Sequence, residues 1–242
     1  ATRHGGPFVF RKMSKNATKY RDFGVTAAIW LVLLALAFIS VAPILIKKNV
    51  VFAFNDGNIE VVLSPALEYP EQFSGIWDNQ SFCGIYGGTA SISITTIFET
   101  LLGPHHYRKI GVLLSIWLTG IAGYWCVRQF GRSRHASFMA SILMMLCGWN
   151  LTFPMNGLTV RSYALAFSAL SLGMIERGRK DHGVLSYILG GCFLGLAVSE
   201  TPDVGLLFAI ACAGYFILSH FNNRKSFALR NTVKQLSLFA VY

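Results

Sequence analysis

Residues 24–46 read GVTAAIWLVLLALAFISVAPILI, 23 residues without a charge. A helix rises about 1.5 Å per residue, so this run covers about 35 Å, more than the roughly 30 Å hydrocarbon core of a bilayer. A secretory signal core is shorter, about 7–15 residues, and ends at a small-residue cleavage site. The run therefore reads as a retained anchor. About twenty residues precede it, with Arg3, Arg11, Lys12, Lys15, Lys19 and Arg21 among them.

Working outward, further apolar stretches of near-spanning length lie at 110–128, 136–153, 158–175, 184–199 and 203–219, and another begins near Gln235. The 242 residues are 53% hydrophobic and 13% charged, with mean hydropathy +0.49. Soluble domains carry about 25% charged residues. That deficit excludes an ordinary soluble enzyme, a disordered regulator and a DNA-binding domain. The expected fold is all-α: a polytopic transmembrane helical bundle of six to seven spans. Pro154, Pro202, Gly157 and Gly190-Gly191 mark interruptions, which lipid tolerates only at the interface or inside protein. Gly120, Gly123, Gly190, Gly191, Gly195 and Ala197 point to close helix contacts.

The net charge of +10 is explained by sidedness rather than by nucleic acid. With a cytoplasmic N-terminus, segments 1–23, 129–135, 176–183 and 220–234, with Arg128 at the boundary, hold sixteen of the 21 Lys and Arg residues. Eight of the eleven acids fall on the opposite side. That bias follows the positive-inside rule. The chain divides into a basic cytoplasmic segment 1–23, a bundle 24–219 that includes an outer loop 47–109, and a basic segment 220–242 that leads into a seventh span. Segments 59–76 and 91–102 are amphipathic and read as short helices, either in the interface plane or packed on the bundle. None of the five cysteines forms a C-x-x-C pair; only Cys83 lies in a polar loop.

The candidate chemistry lies on the acidic side. Asp56, in an Asp-Gly turn, is either a water-facing carboxylate or a general base whose pKa is raised beside low-dielectric surroundings. Trp77-Asp78-Asn79 and Gly87-Gly88 offer a ring face, polar ends and close backbone approach, the mix that binds a sugar; an interfacial Trp anchor accounts for the same residues. His105, His106, Arg108 and Lys109 form a cationic run suited to a lipid phosphate or to ordinary headgroups. Arg161, inside the fourth span, either faces a cavity or snorkels, and Glu200 or Asp203 are candidate partners for it. No metal-binding motif, phosphate loop or nucleophile elbow is present.

The order of these features carries a resemblance. An anchor helix is followed by Asp56-Gly57, then Trp77-Asp78-Asn79 and Gly87-Gly88. Gly120-x-x-Gly123-Tyr124, Arg128, Gly131 and Ser133-Arg134 come next, then His135-Ala136 leading to Gly148-Trp149-Asn150, and Gly195-Leu196-Ala197 before Thr201-Pro202. Over roughly residues 24–219 the chain resembles the amino-terminal part of YfhO-like bacterial membrane proteins of the GT-C superfamily of glycosyltransferases. The resemblance implies transfer of a sugar from a polyprenyl-phosphate carrier at the outer face of a bacterial inner membrane. It implies Asp56 as catalytic base or ligand of a divalent metal; the substrate-binding candidates Trp77, Asp78, His105, His106, Arg108, Arg161 and Glu200 come from the reading of the residues themselves. The family's usual Trp-Asn-Pro is replaced here by Trp77-Asp78-Asn79, and its members carry further membrane helices and an outer domain. The expected partners are membrane lipid, the lipid-linked sugar and other membrane subunits, not nucleic acid. The alternative is a non-catalytic accessory or scaffold subunit of a membrane complex.

Overall fold

The computed structural model describes residues 7–47, 93–181 and 183–221. Among these residues there are eight helices and no strand: α1 Pro7–Leu45, α2 Ile94–Leu102, α3 Pro104–Gln129, α4 Arg134–Leu146, α5 Gly148–Met155, α6 Thr159–Asp181, α7 Val184–Glu200 and α8 Pro202–Phe221. Among the described residues three stretches are long and apolar enough to cross a membrane: Gly24–Pro43, His105–Gln129 and Pro202–Ser219. The α4–α5 pair makes a fourth if it is one bent span. These helices mark an integral membrane protein. Asp56, Trp77, Asp78, Cys83, segment 59–76 and the stretch from Gln235 lie outside the described residues.

Three apolar clusters hold the helices side by side. Leu33, Ala37 and Val41 of α1 pack on Val112 and Ile116 of α3 and Met145 of α4. Tyr107 of α3 meets Tyr163, Ala164 and Phe167 of α6 and Ala197 of α7. Ile175 of α6, Tyr187 and Leu194 of α7, and Cys212 and Phe216 of α8 form the third. Helix α6 sits at the centre, against α3, α5, α7 and α8. Beside Tyr163, Phe167 and Ile175, many of its inward residues are small or polar: Ser162, Ser168, Ser171, Gly173 and Gly178 are buried. Helix neighbours, not lipid, surround α6, so it needs less hydropathy than the spans at the rim.

The outer surface is apolar in the way lipid requires. Leu31, Ile39, Leu143, Leu207 and Leu218 are each about two-thirds or more exposed. Between α1 and α3 a shallow groove is lined by Leu31, Leu34, Ala35, Phe38, Ile39 and Leu113.

The sequence expectations differ from the fold at several places. The stretch 136–153 is not one helix: α4 and α5 meet at a 42° bend. Cys147 is extended there, with ψ 147°, and the Asn150 side-chain amide donates to the Met145 carbonyl that the break releases. Helix α3 starts at Pro104, so His105–Lys109 is its first turn rather than a preceding loop. Gly195 is exposed, whereas Gly120 and Gly190 lie close against neighbouring helices. The closest approach is one the sequence analysis did not single out, Gly205 of α8 against the Ala197 carbonyl of α7.

Candidate functional site

Helix α2 is capped by Ser93, whose hydroxyl accepts from the Thr96 amide at 3.0 Å. Thr95 and Glu99 are four residues apart and so share one face. That face is buried, while Ile97 and Leu101 are exposed, Leu101 by 73%. The helix lays its polar side on α3 and α7 and its apolar side outward, as a lipid-facing helix should.

Three elements, α3, α6 and α7, converge on this face. The Glu200 carboxylate, at the C-terminus of α7, accepts from the Thr95 amide at 3.1 Å and from the Thr95 hydroxyl at 2.6 Å. The Tyr107 hydroxyl of α3 lies 3.3 Å from the Thr95 hydroxyl and 3.1 Å from that of Thr159, at the start of α6. Tyr163, one turn further along α6, donates weakly to the Gly111 carbonyl at 3.4 Å. Glu99 is 6% exposed and Glu200 7%. Burial pushes the Glu99 carboxyl up to about 7; Arg108 opposes the rise and Glu200 adds to it.

Arg108 turns inward. It is 4% exposed, and its guanidinium donates to the Gly157 carbonyl at 2.9 Å. Gly157 has φ +85°, a left-handed conformation that favours glycine. The Arg161 guanidinium lies 4.4 Å from the centre of the Phe153 ring. Both arginines thus brace the α5–α6 connection. Thr95 takes the Glu200 carboxylate that was a candidate partner for Arg161, and Asp203 is exposed.

The cationic run therefore does not form one patch. A helix turns about 100° per residue, so His105 and His106 are exposed while Tyr107 and Arg108 are buried. The Lys109 ammonium donates to the Lys47 carbonyl at 2.6 Å. That bond places the end of α1 beside the start of α3. Lys47 and Ser93 flank the residues that are not described, and both lie at the same end of the bundle as Glu99 and Glu200.

Sequence reasoning missed Glu99, Thr95, Tyr107 and Thr159. The available signal was Thr95 and the single charged residue Glu99 at helical spacing in a short amphipathic helix. Among the described residues no group of three His, Cys, Asp or Glu side chains is placed to hold a metal ion.

The opposite end has its own buried acid. Glu176 lies just past the apolar part of α6. It accepts two bonds of 2.7 Å from Arg179 and one of 2.6 Å from Tyr215 of α8, and Lys180 lies 3.2 Å away. Burial alone would raise its pKa, but these donors outweigh that and hold the carboxyl down at about 2.

No family model, no curated protein and no solved structure matches the chain.

Proposed function

We propose that the chain is a GT-C-like membrane glycosyltransferase, or the amino-terminal module of one, acting at the acidic end of its bundle. One observation carries the reading. The buried polar groups Glu99, Glu200, Arg108 and Tyr107 gather at the end where Lys47 and Ser93 also lie, so the segment bearing Asp56, Trp77 and Asp78 departs from and returns to that end. A carboxylate with its pKa near neutrality and a guanidinium at the rim of a hydrocarbon layer suit a hydroxyl acceptor and a carrier phosphate. Asp56 is the base that deprotonates the acceptor, and the donor is a sugar on polyprenyl phosphate. As a ligand rather than a base, Asp56 would hold a divalent metal.

The proposed topology has six spans, with a seventh from Gln235. Tyr107–Thr159 ties α6 to α3 at one end, and the Lys180 ammonium bonds the Gln129 carbonyl at the other. That pairing supports α6 crossing the same thickness as α3. Helix α7, with 17 residues, rises about 26 Å alongside it. The acidic end is the outer face of a bacterial inner membrane, with the N-terminus in the cytoplasm.

A second reading has one observation in its favour. Glu200 and Arg108 already have partners within the bundle, as a purely structural cluster would in an accessory subunit. A transfer assay with lipid-linked sugar separates the two. Asp56→Asn should abolish turnover by the wild-type chain. Unchanged turnover removes the proposed base, and a wild-type chain that is inert but co-purifies stably with other membrane subunits supports the second reading.

A further inference from the structure

The end of the bundle away from Glu99 is built differently. Helix α3 ends its candidate span at Gln129, so the α3–α4 connection lies at headgroup depth. The Arg128 guanidinium donates to the Arg132 carbonyl at 2.6 Å and fixes this connection. Lys180, from the last turn of α6, reaches across to the Gln129 carbonyl and lies beside Gly131. Cations from two helices are therefore held against one turn. Arg132, His135, Arg177 and Lys180 are exposed.

The acids at this end do not balance them. On α3, the α3–α4 connection, α4 and α6 the acids are Glu176 and Asp181, against Arg128, Arg132, Arg134, Arg177, Arg179 and Lys180 at this end. Glu176 is 2% exposed and is neutralised by Arg179 and Lys180. Asp181 meets Arg177 at 3.5 Å in an exposed pair, which contributes little. The surface presented to the headgroup layer is strongly positive.

An apolar stripe leads away from it. His135, Met139 and Leu143 are spaced by four residues on α4 and so lie on one face. Met139 is 55% exposed and Leu143 73%. A cationic patch that continues into an exposed apolar stripe matches an amphiphile with an anionic head.

We propose that the α3–α4 connection, with the last turn of α6, binds the phosphate of an anionic phospholipid, whose acyl chain lies along Met139 and Leu143. Arg132 and Arg177 are the principal headgroup contacts. Arg128 and Lys180 hold the turn that presents them. The site is independent of any activity at the acidic end.

The test uses the full chain in a zwitterionic detergent. Phosphatidylglycerol and phosphatidylcholine with identical acyl chains are titrated in, and thermal unfolding is followed. Phosphatidylglycerol should raise the Tm several degrees more than phosphatidylcholine does. Arg132→Gln with Arg177→Gln should remove at least half of that difference, and so should 0.5 M salt, about which the Debye length is only a few Å. Native mass spectrometry from an equimolar lipid mixture should find phosphatidylglycerol enriched several-fold on the wild type but not on the double variant, which keeps the test valid if the variant is itself less stable. Equal Tm increments from the two lipids, an undiminished difference in the double variant, or the same increment from inorganic phosphate alone would each overturn the proposal.

Discussion

Glu99 shows how a single side chain can report on its surroundings. Burial raises its carboxyl pKa to about 7 from 4.5, with Arg108 of α3 opposing the rise and Glu200 of α7 adding to it. The folded protein therefore holds a proton that the unfolded chain releases between those two values. Stability should be highest below about pH 4.5 as far as Glu99 is concerned, and should fall as pH rises toward 7, by about 2–3 kcal/mol. Glu99→Gln should flatten this dependence in thermal unfolding in detergent. An unaltered pH profile would mean that Glu99 is not the titrating group. Thr95 makes a complementary case. Its hydroxyl donates to a buried carboxylate at 2.6 Å, and such charge-assisted bonds contribute about 1.5–3 kcal/mol. Thr95→Val keeps the shape and the backbone bond, so it should lower stability by roughly that amount; a loss below about 0.5 kcal/mol would show the bond to be dispensable. These residues were hard to read from the sequence for a local reason. The run His105–Lys109 looks like one cationic patch on the line of the chain, but helical rotation divides it into two exposed histidines and a buried Tyr107-Arg108 pair.

Whole helices were easier to read than single side chains, because lipid imposes length. The expected stretches at 110–128, 184–199 and 203–219 lie within α3, α7 and α8, with boundaries moved by a few residues. Two features escaped the hydropathy reading. The α4–α5 bend depends on Cys147 leaving the helical conformation and on Asn150 satisfying the freed carbonyl, and neither shows as a drop in apolar character. The amphipathic α2 points its polar face inward, an inversion that sequence periodicity alone does not assign. The α7–α8 hairpin supplies a sharper test of element packing. A Cβ on Gly205 would overlap the backbone at Ala197 and Val198, the latter at 2.6 Å. Backbone has no rotamer to yield, so Gly205→Ala should cost about 2 kcal/mol or more by separating the two helices. Gly214, on the same helix, has nothing within 4 Å of its would-be Cβ. Gly214→Ala should be neutral or should stabilise by about 0.5–1 kcal/mol through helix propensity. Equal effects of the two substitutions in thermal unfolding would contradict the packing described.

Across the whole molecule, two chemically distinct ends are joined by an apolar middle. The acidic end buries Glu99 and Glu200 beside Arg108, and the basic end buries Glu176 under Arg179, Lys180 and Tyr215. The Lys and Arg residues of the α3–α4 connection and the end of α6 lie together at the basic end; at the other end the described residues carry Lys47, Arg108, Lys109 and Arg161 against Glu99, Glu200 and Asp203, and the remaining acids expected there lie outside the described residues. The sequence did not foresee that each end internalises an acid. Burial depends on which helix faces meet, and those faces come from different parts of the chain: Thr95 and Glu200 are 105 residues apart. The central claim is therefore the sidedness of the bundle, on which the proposed outer-face chemistry and the lipid site both depend. Single cysteines at His105 and at Arg132, both exposed, placed in a background with the native cysteines replaced, test it with a membrane-impermeant maleimide on sealed cells and on inverted vesicles. His105→Cys should be labelled from the outside only and Arg132→Cys from the cytoplasmic side only; labelling of both positions from the same side would overturn the sidedness.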